Sequence, residues 1–314
     1  MSWLGNVQHE PYHVVRSRLV KSNLRPYGIA PPAFQLPDNT HAGPVHLQVS
    51  DVERSIEYYE KVIGLRVLTR TSDTTALAPA GDSPPLVWLR GRPGARPVPR
   101  RGTFGLYHFA ILLPDRPALG RFATHVSRLR VPIGMADHLV SEALYLSDPD
   151  GLGIEVYADR PASTWQHRGR ELAMTTDPLD IGDVMAAADG RAWDGAPAGT
   201  TMGHVHLHVG SLEEADAFYH AALGFDKTVW SYPGALFLGA GGYHHHLGTN
   251  TWAPGPSAAE DQARLLEWEL VVPTNDDASA AARSLEASGY RAEETSRGWT
   301  TRDPWGTALR IVAG

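Results

Sequence analysis

Apolar and polar residues alternate through Val45–Val49 (VHLQV) and again through Val205–Val209 (VHLHV), the period of a strand with one buried face. In each copy a polar turn follows, and the apolar residues then recur at helical spacing. They are Val52, Ile56, Tyr59, Val62 and Ile63 in the first, and Leu212, Ala215, Phe218, Tyr219, Ala222 and Leu223 in the second. Gly64 and Gly224 close the two helices, being suited to a left-handed C-terminal cap. Val45–Leu65 and Val205–Phe225 correspond throughout at an offset of 160 residues, so an internal repeat organises the chain.

Two weaker copies, Tyr107–Leu129 and Trp268–Leu285, have the same order of strand, polar turn and helix. Their later parts also correspond, as SDPDGLGIEVY (147–157) and RDPWGTALRIV (302–312). Four modules follow, near 43–92, 105–160, 202–252 and 266–314, each read as a strand, a helix and about three further strands. The chain then divides into a Pro-rich extension (1–42), a first domain of modules one and two (43–160), an Ala/Gly/Asp-rich connection (161–201) and a second domain of modules three and four (202–314). An Asp-capped helical piece is expected in the connection around Ile181–Ala188. The 314 residues suit two domains at about 100–200 residues each.

Composition narrows the chemistry. With 42% hydrophobic and 20% charged residues the chain is an ordinary globular one. A net charge of −7 opposes broad contact with nucleic acid or an anionic membrane, both of which need a basic face. No apolar run approaches the roughly 18 residues of a membrane span, and the N-terminus has no signal-like apolar stretch, so a cytoplasmic protein is expected. The absence of cysteine removes thiolate nucleophiles, Cys-ligated zinc and iron–sulfur clusters together. Fifteen histidines, with Asp and Glu, remain as metal ligands, and His204, His206 and His208 share one face of their strand.

The repeated unit resembles that of the vicinal oxygen chelate superfamily, over all four modules. The resemblance implies an α+β fold in which βαβββ modules pair and curl mixed sheets into metal-holding cups. Its first-strand ligand stands five residues before the last apolar residue of the strand, which selects His204 and His108, but Pro44 and Glu267 in modules one and four. Its final-strand ligand follows the Pro-x-Gly turn by four residues, which selects Glu155 in module two and Arg310 in module four. His108, Glu155 and His204 would form a 2-His-1-carboxylate set of the kind that binds Fe(II) and leaves positions open, with Mn(II) as the alternative ion. Asp137–Glu155 (DHLVSEALYLSDPDGLGIE) further resembles the signature of extradiol ring-cleaving dioxygenases, which implies that His138 and Tyr145 hydrogen-bond substrate. By the same likeness an acid–base histidine falls in GGYHHHLGTNTW, with His245 the first choice and His246 the second.

These ligands come from modules two and three, so a cup pairing two with three and one with four is favoured. The rival pairs one with two and needs His46 in place of the ligand missing at Pro44. The implied activity is O2-dependent cleavage of a catechol-type or hydroquinone-type ring in the breakdown of aromatic compounds. The partners would be a small aromatic diol and O2, in a homo-oligomer, without nucleic acid or membrane. Two other readings stand beside it: a glyoxalase-like lyase or isomerase, which would want a further ligand such as Glu267 or Glu269, and a metal-free binding protein. Plainer roles are set against single residues. A strand histidine is more often a buried hydrogen-bonding residue than a ligand, Tyr145 suits a core, and Glu155 could face solvent. His46 and His206 read as structural, Arg310 as a surface or cup-lining ion pair, and 91–101 as a solvated loop.

Overall fold

The computed structural model describes residues 27–253 and 255–314, so most of the N-terminal extension lies outside the described residues. Module one comprises β1 (His41–Val49), α1 (Val52–Tyr58), β2 (Arg66–Arg70), β3 (Thr74–Ala78) and β4 (Val87–Gly91). Module two comprises β5 (Gly105–Leu112), α2 (Arg116–Leu129), β6 (Gly134–Asp137), β7 (Ser141–Ser147) and β8 (Gly153–Asp159). The connection folds as a small hairpin, β9 (His167–Arg168) and β10 (Glu171–Leu172), followed by α3 (Ile181–Ala186) under its expected Asp180 cap. Module three contains β11 (Thr201–His208), α4 (Leu212–Ala215), β12 (Asp226–Val229), β13 (Ala235–Gly239) and β14 (Leu247–Asn250). Module four contains β15 (Arg264–Val272), α5 (Asn275–Ala287), β16 (Ala292–Thr295), β17 (Gly298–Arg302) and β18 (Ala308–Ala313).

Two eight-stranded sheets result. One runs β12-β13-β14-β11-β5-β8-β7-β6, and the other β16-β17-β18-β15-β1-β4-β3-β2. Module two therefore shares a sheet with module three, and module one with module four, the arrangement favoured from the ligand positions. Each sheet is joined at its centre by one antiparallel pair, β11 with β5 or β1 with β15, flanked by parallel pairs inside each module.

Strand alternation decides which residues meet the core. Val205, Leu207 and Val209 of module three, with Phe109 and Ile111 of β5, join Leu47, Trp268 and the α2 residues Leu119, Phe122 and Val126 in one apolar cluster that draws on both sheets and the helices. The intervening His108, His204 and His206 are thereby turned to the opposite face.

The module-one and module-three helices do not continue as regular α-helix. Each widens into a π-helical segment, Tyr59–Ile63 and Asp216–Ala222, before Gly64 and Gly224 take left-handed φ of 81° and 101°. An extra residue per turn shifts the face that later positions present, which simple 3.6-residue spacing does not disclose. In both cases a buried tyrosine then reaches the turn of the next module. Tyr59 Oη donates to Asp148 at 3.4 Å, and Tyr219 Oη to Asp303 at 2.9 Å. Sheets bind the halves of the chain to each other, and these tyrosine contacts bind modules within each half.

Candidate metal centre

On the first sheet β11 and β5 run antiparallel with His206 opposite His108 and His204 opposite Ala110, while β8 runs parallel to β5 with Glu155 beside Ala110. Ala110 has only a methyl group, and His108, His204 and Glu155 close over that space. Glu155 Oε2 lies 2.9 Å from His108 Nε2 and 3.1 Å from His204 Nε2, and the two ring nitrogens are 3.4 Å apart. All three side chains are buried, and their ligand atoms lie within 4.8 Å of one another.

Burial disfavours the Glu155 carboxylate, but the charges and hydrogen bonds of His204 and His108 outweigh it and hold the carboxyl well below its usual range. Burial lowers the His108 pKa, with Glu155 acting in the opposite sense. Two imidazole nitrogens and a carboxylate oxygen converging in a low-dielectric pocket suit a divalent transition metal. The outer Nδ1 atoms of His108 and His204 are buried without a hydrogen-bond partner in the described structure, so the rings are oriented by packing and by Glu155. His204 lies against Tyr157, with ring centroids 5.1 Å apart, and Tyr157 donates or accepts at Tyr243 Oη, 2.6 Å away.

The other expected residues are placed unequally. His138 and Tyr145 line the cavity over the cluster, and His138 Nε2 lies 2.6 Å from Tyr145 Oη. His138 Nδ1 is 2.6 Å from the Thr175 carbonyl oxygen, which only accepts, so Nδ1 carries a proton and Nε2 is the nitrogen that faces the Tyr145 hydroxyl. Burial, reinforced by Glu155, raises the Tyr145 pKa well above its usual value and keeps the hydroxyl protonated. His245 also lines the cavity, in ring contact with His204 at 4.1 Å. His246 is not brought there: its Nδ1 accepts the Ala240 N–H and its ring stacks near Phe225. The alternation of directions in a run of three histidines separates them. His46 lies in the other sheet, beside Glu269, and is not part of this cluster.

Three features escaped the sequence. His244 and Asp159 form a relay behind His245, in which Asp159 accepts from His244 Nε2 at 2.9 Å and His244 Nδ1 faces His245 Nδ1 at 2.7 Å. The carboxylate puts the His244 proton on Nε2, so His245 donates through Nδ1 and keeps its lone pair on Nε2. Burial, with His204 and His244 next, holds the His245 pKa well below the usual imidazole value. His206, read above as structural, lines the cavity in ring contact with Phe237 and Trp252. The connection, read as a linker, supplies a wall through Met174, Thr175 and Thr176. The cavity measures about 450 Å³, and Tyr107, Phe237 and Trp252 give it an aromatic lining. Only the HHH run and the repeated strand histidine hinted at the first two features, and nothing in the sequence pointed to the third.

A family model described as Glyoxalase/Bleomycin resistance protein/Dioxygenase superfamily matches residues 41–156 and 201–311. The chain is 44% identical over 273 residues to a catechol-2,3-dioxygenase of Bacillus subtilis (strain 168), spanning 85% of this chain and 95% of the relative. Among solved structures, a putative dioxygenase from Bacillus subtilis subsp. subtilis str. 168 superposes with a TM-score of 0.62 at 12% identity, covering 90% of this chain and 86% of that one. Glyoxalase I from Zea mays superposes with a TM-score of 0.52 at 17% identity, covering 88% and 92%. These two likenesses are of fold.

Proposed function

We propose, from the premise that the chain belongs to the Glyoxalase/Bleomycin resistance protein/Dioxygenase superfamily, that it is an extradiol dioxygenase cleaving a catechol-type ring at an Fe(II) centre held by His108, Glu155 and His204. The observation that carries this reading is the convergence of those three buried ligands beneath an aromatic cavity. The 44% identical relative named catechol-2,3-dioxygenase supports it.

Ferrous iron bound there would supply one coordination sphere for the two diol oxygens and O2, with a path for electron density from ring to oxygen. The protein's own part is orientation and proton movement. His245 receives a diol proton at Nε2, the nitrogen left free because Nδ1 is committed to His244. Asp159 fixes that tautomer from two residues away. The second diol proton passes through the Tyr145 hydroxyl to His138 Nε2, which leaves that hydroxyl donating to the substrate oxygen. The Thr175 carbonyl keeps the His138 ring in place through that change. Tyr107, His206, Phe237 and Trp252 offer ring faces and edges to a planar substrate.

The alternatives are less well served. A glyoxalase-type centre wants another carboxylate, yet Glu267 and Glu269 lie in the other sheet and are paired with Arg310 and Arg297. A metal-free binding protein leaves unexplained why Glu155 is buried between two imidazoles.

Anaerobic reconstitution with Fe(II), followed by O2 uptake over a panel of catechols and hydroquinones, tests the reading. Glu155→Ala is expected to lose tight iron binding, while His245→Ala keeps the iron and loses about a hundredfold or more in turnover. Full activity in Glu155→Ala would remove that residue from the ligand set, and turnover without O2 consumption would exclude a dioxygenase.

A further inference from the structure

The second sheet carries a cavity of about 540 Å³, larger than the one over the candidate metal centre, and its chemistry is inverted. The repeat places Glu267 where module two has His108, Arg310 where it has Glu155, and Pro44 where module three has His204. His46, Glu267 and Glu269 stand close enough to suggest a second metal group. Their pairing says otherwise. Glu267 is held by Arg310 through Nε and Nη2 at 2.7 and 2.9 Å, and Glu269 accepts from Arg297 at 2.6 Å and lies 2.9 Å from His46 Nε2. A guanidinium does not deprotonate in proteins, so a metal ion here would have to displace fixed cations from both carboxylates.

Arginines remain after that pairing. Arg90, Arg264 and Arg302 line the same cavity and form no ion pair among the described residues, and Arg302 reaches only the Gly306 carbonyl. The Nε of Arg264 is shielded from solvent and has no hydrogen-bond partner among the described residues. Five arginines thus line the cavity beside Glu260 and Glu267, with Glu269 held by Arg297, in a chain whose net charge is −7. Trp88 also lines the cavity, its ring stacked parallel to His46 at 5.8 Å.

We propose that this cavity binds a small planar carboxylate, its oxygens taken by Arg264 with Arg90 and Arg302 and its flat body lying along Trp88. Guanidinium forks match a carboxylate two bonds at a time, and a ligand carboxylate would be the counter-anion that no described side chain gives Arg90, Arg264 or Arg302. The inference does not depend on the reaction proposed for the first sheet.

Isothermal titration of the metal-loaded protein with benzoate, cis,cis-muconate and inorganic phosphate separates the outcomes. Saturable binding of a carboxylate, retained in Glu155→Ala and weakened about tenfold or more in Arg264→Gln and in the exposed Arg90→Gln, supports the proposal. Melting curves of the two arginine variants that match the parent exclude misfolding as the cause. Binding lost in Glu155→Ala but kept in both arginine variants would put the ligand in the first sheet and overturn it. No carboxylate binding tighter than about 1 mM, or phosphate binding as tightly as benzoate, would overturn it as well.

Discussion

Asp148 opens the Asp-Pro-Asp-Gly turn before Glu155, and its Oδ1 accepts the N–H groups of Asp150 and Leu152 at 2.9 Å each. Burial pushes its pKa up to about 7 despite those bonds, and neighbouring Asp150 adds to the rise. Between about pH 4 and pH 7 the folded chain therefore holds this proton more tightly than the unfolded chain. Unfolding releases it, and stability falls as pH rises through that window. Asp148→Asn keeps an oxygen for both N–H groups and has no charge to bury, so its melting temperature should fall less over the same range. A parental curve as flat as the variant's would show that Asp148 titrates normally. At this scale the sequence was informative where the repeat supplied a position and silent where only contact supplies a role. His108, Glu155 and His204 follow from the ligand positions that the superfamily resemblance implies, counted from strand ends and a turn. Asp159 could not, because it meets His244 only through the fold, from β8 to the loop before β14.

At the scale of elements, β5 and β8 approach closely because Gly153 has no side chain. A Cβ there would overlap the carbonyl oxygen of Tyr107 and crowd the His108 side chain. Gly153→Ala should force the two strands apart and so separate His108 from Glu155. The expected result is at least about a tenfold loss in iron affinity with the secondary structure retained, measured by metal competition and circular dichroism; unchanged affinity would show that the strands can yield without disturbing the ligands. The strands and helices were largely legible from their periods, since each module begins with a one-sided strand. The π-helical segments were not, because a widened turn leaves no mark in a 3.6-residue period, and the bonds of their Tyr59 and Tyr219 to Asp148 and Asp303 are contacts distant in sequence. The wall formed by residues 174–176 was also hidden. Its backbone is held at Asp177, which bonds to Asp137 at the edge of β6, and no periodicity announces that contact.

For the molecule as a whole, neither half of the chain contains a complete sheet. Residues 1–160 hold His108 and Glu155 but lack His204, and residues 161–314 hold His204 alone. Either half expressed singly should fail to bind iron tightly, and mixing the two should restore binding in a one-to-one complex, as read by size-exclusion chromatography with metal analysis. Tight iron binding by the first half alone would contradict the role of β11. The order of synthesis gives this exchange of strands a further consequence. His108 and Glu155 leave the ribosome well before His204, so a nascent chain presents an incomplete chelate until its third module emerges. Under the proposed function, loading with iron would consequently wait until the third module has emerged, and a product truncated before it would not sequester the ion.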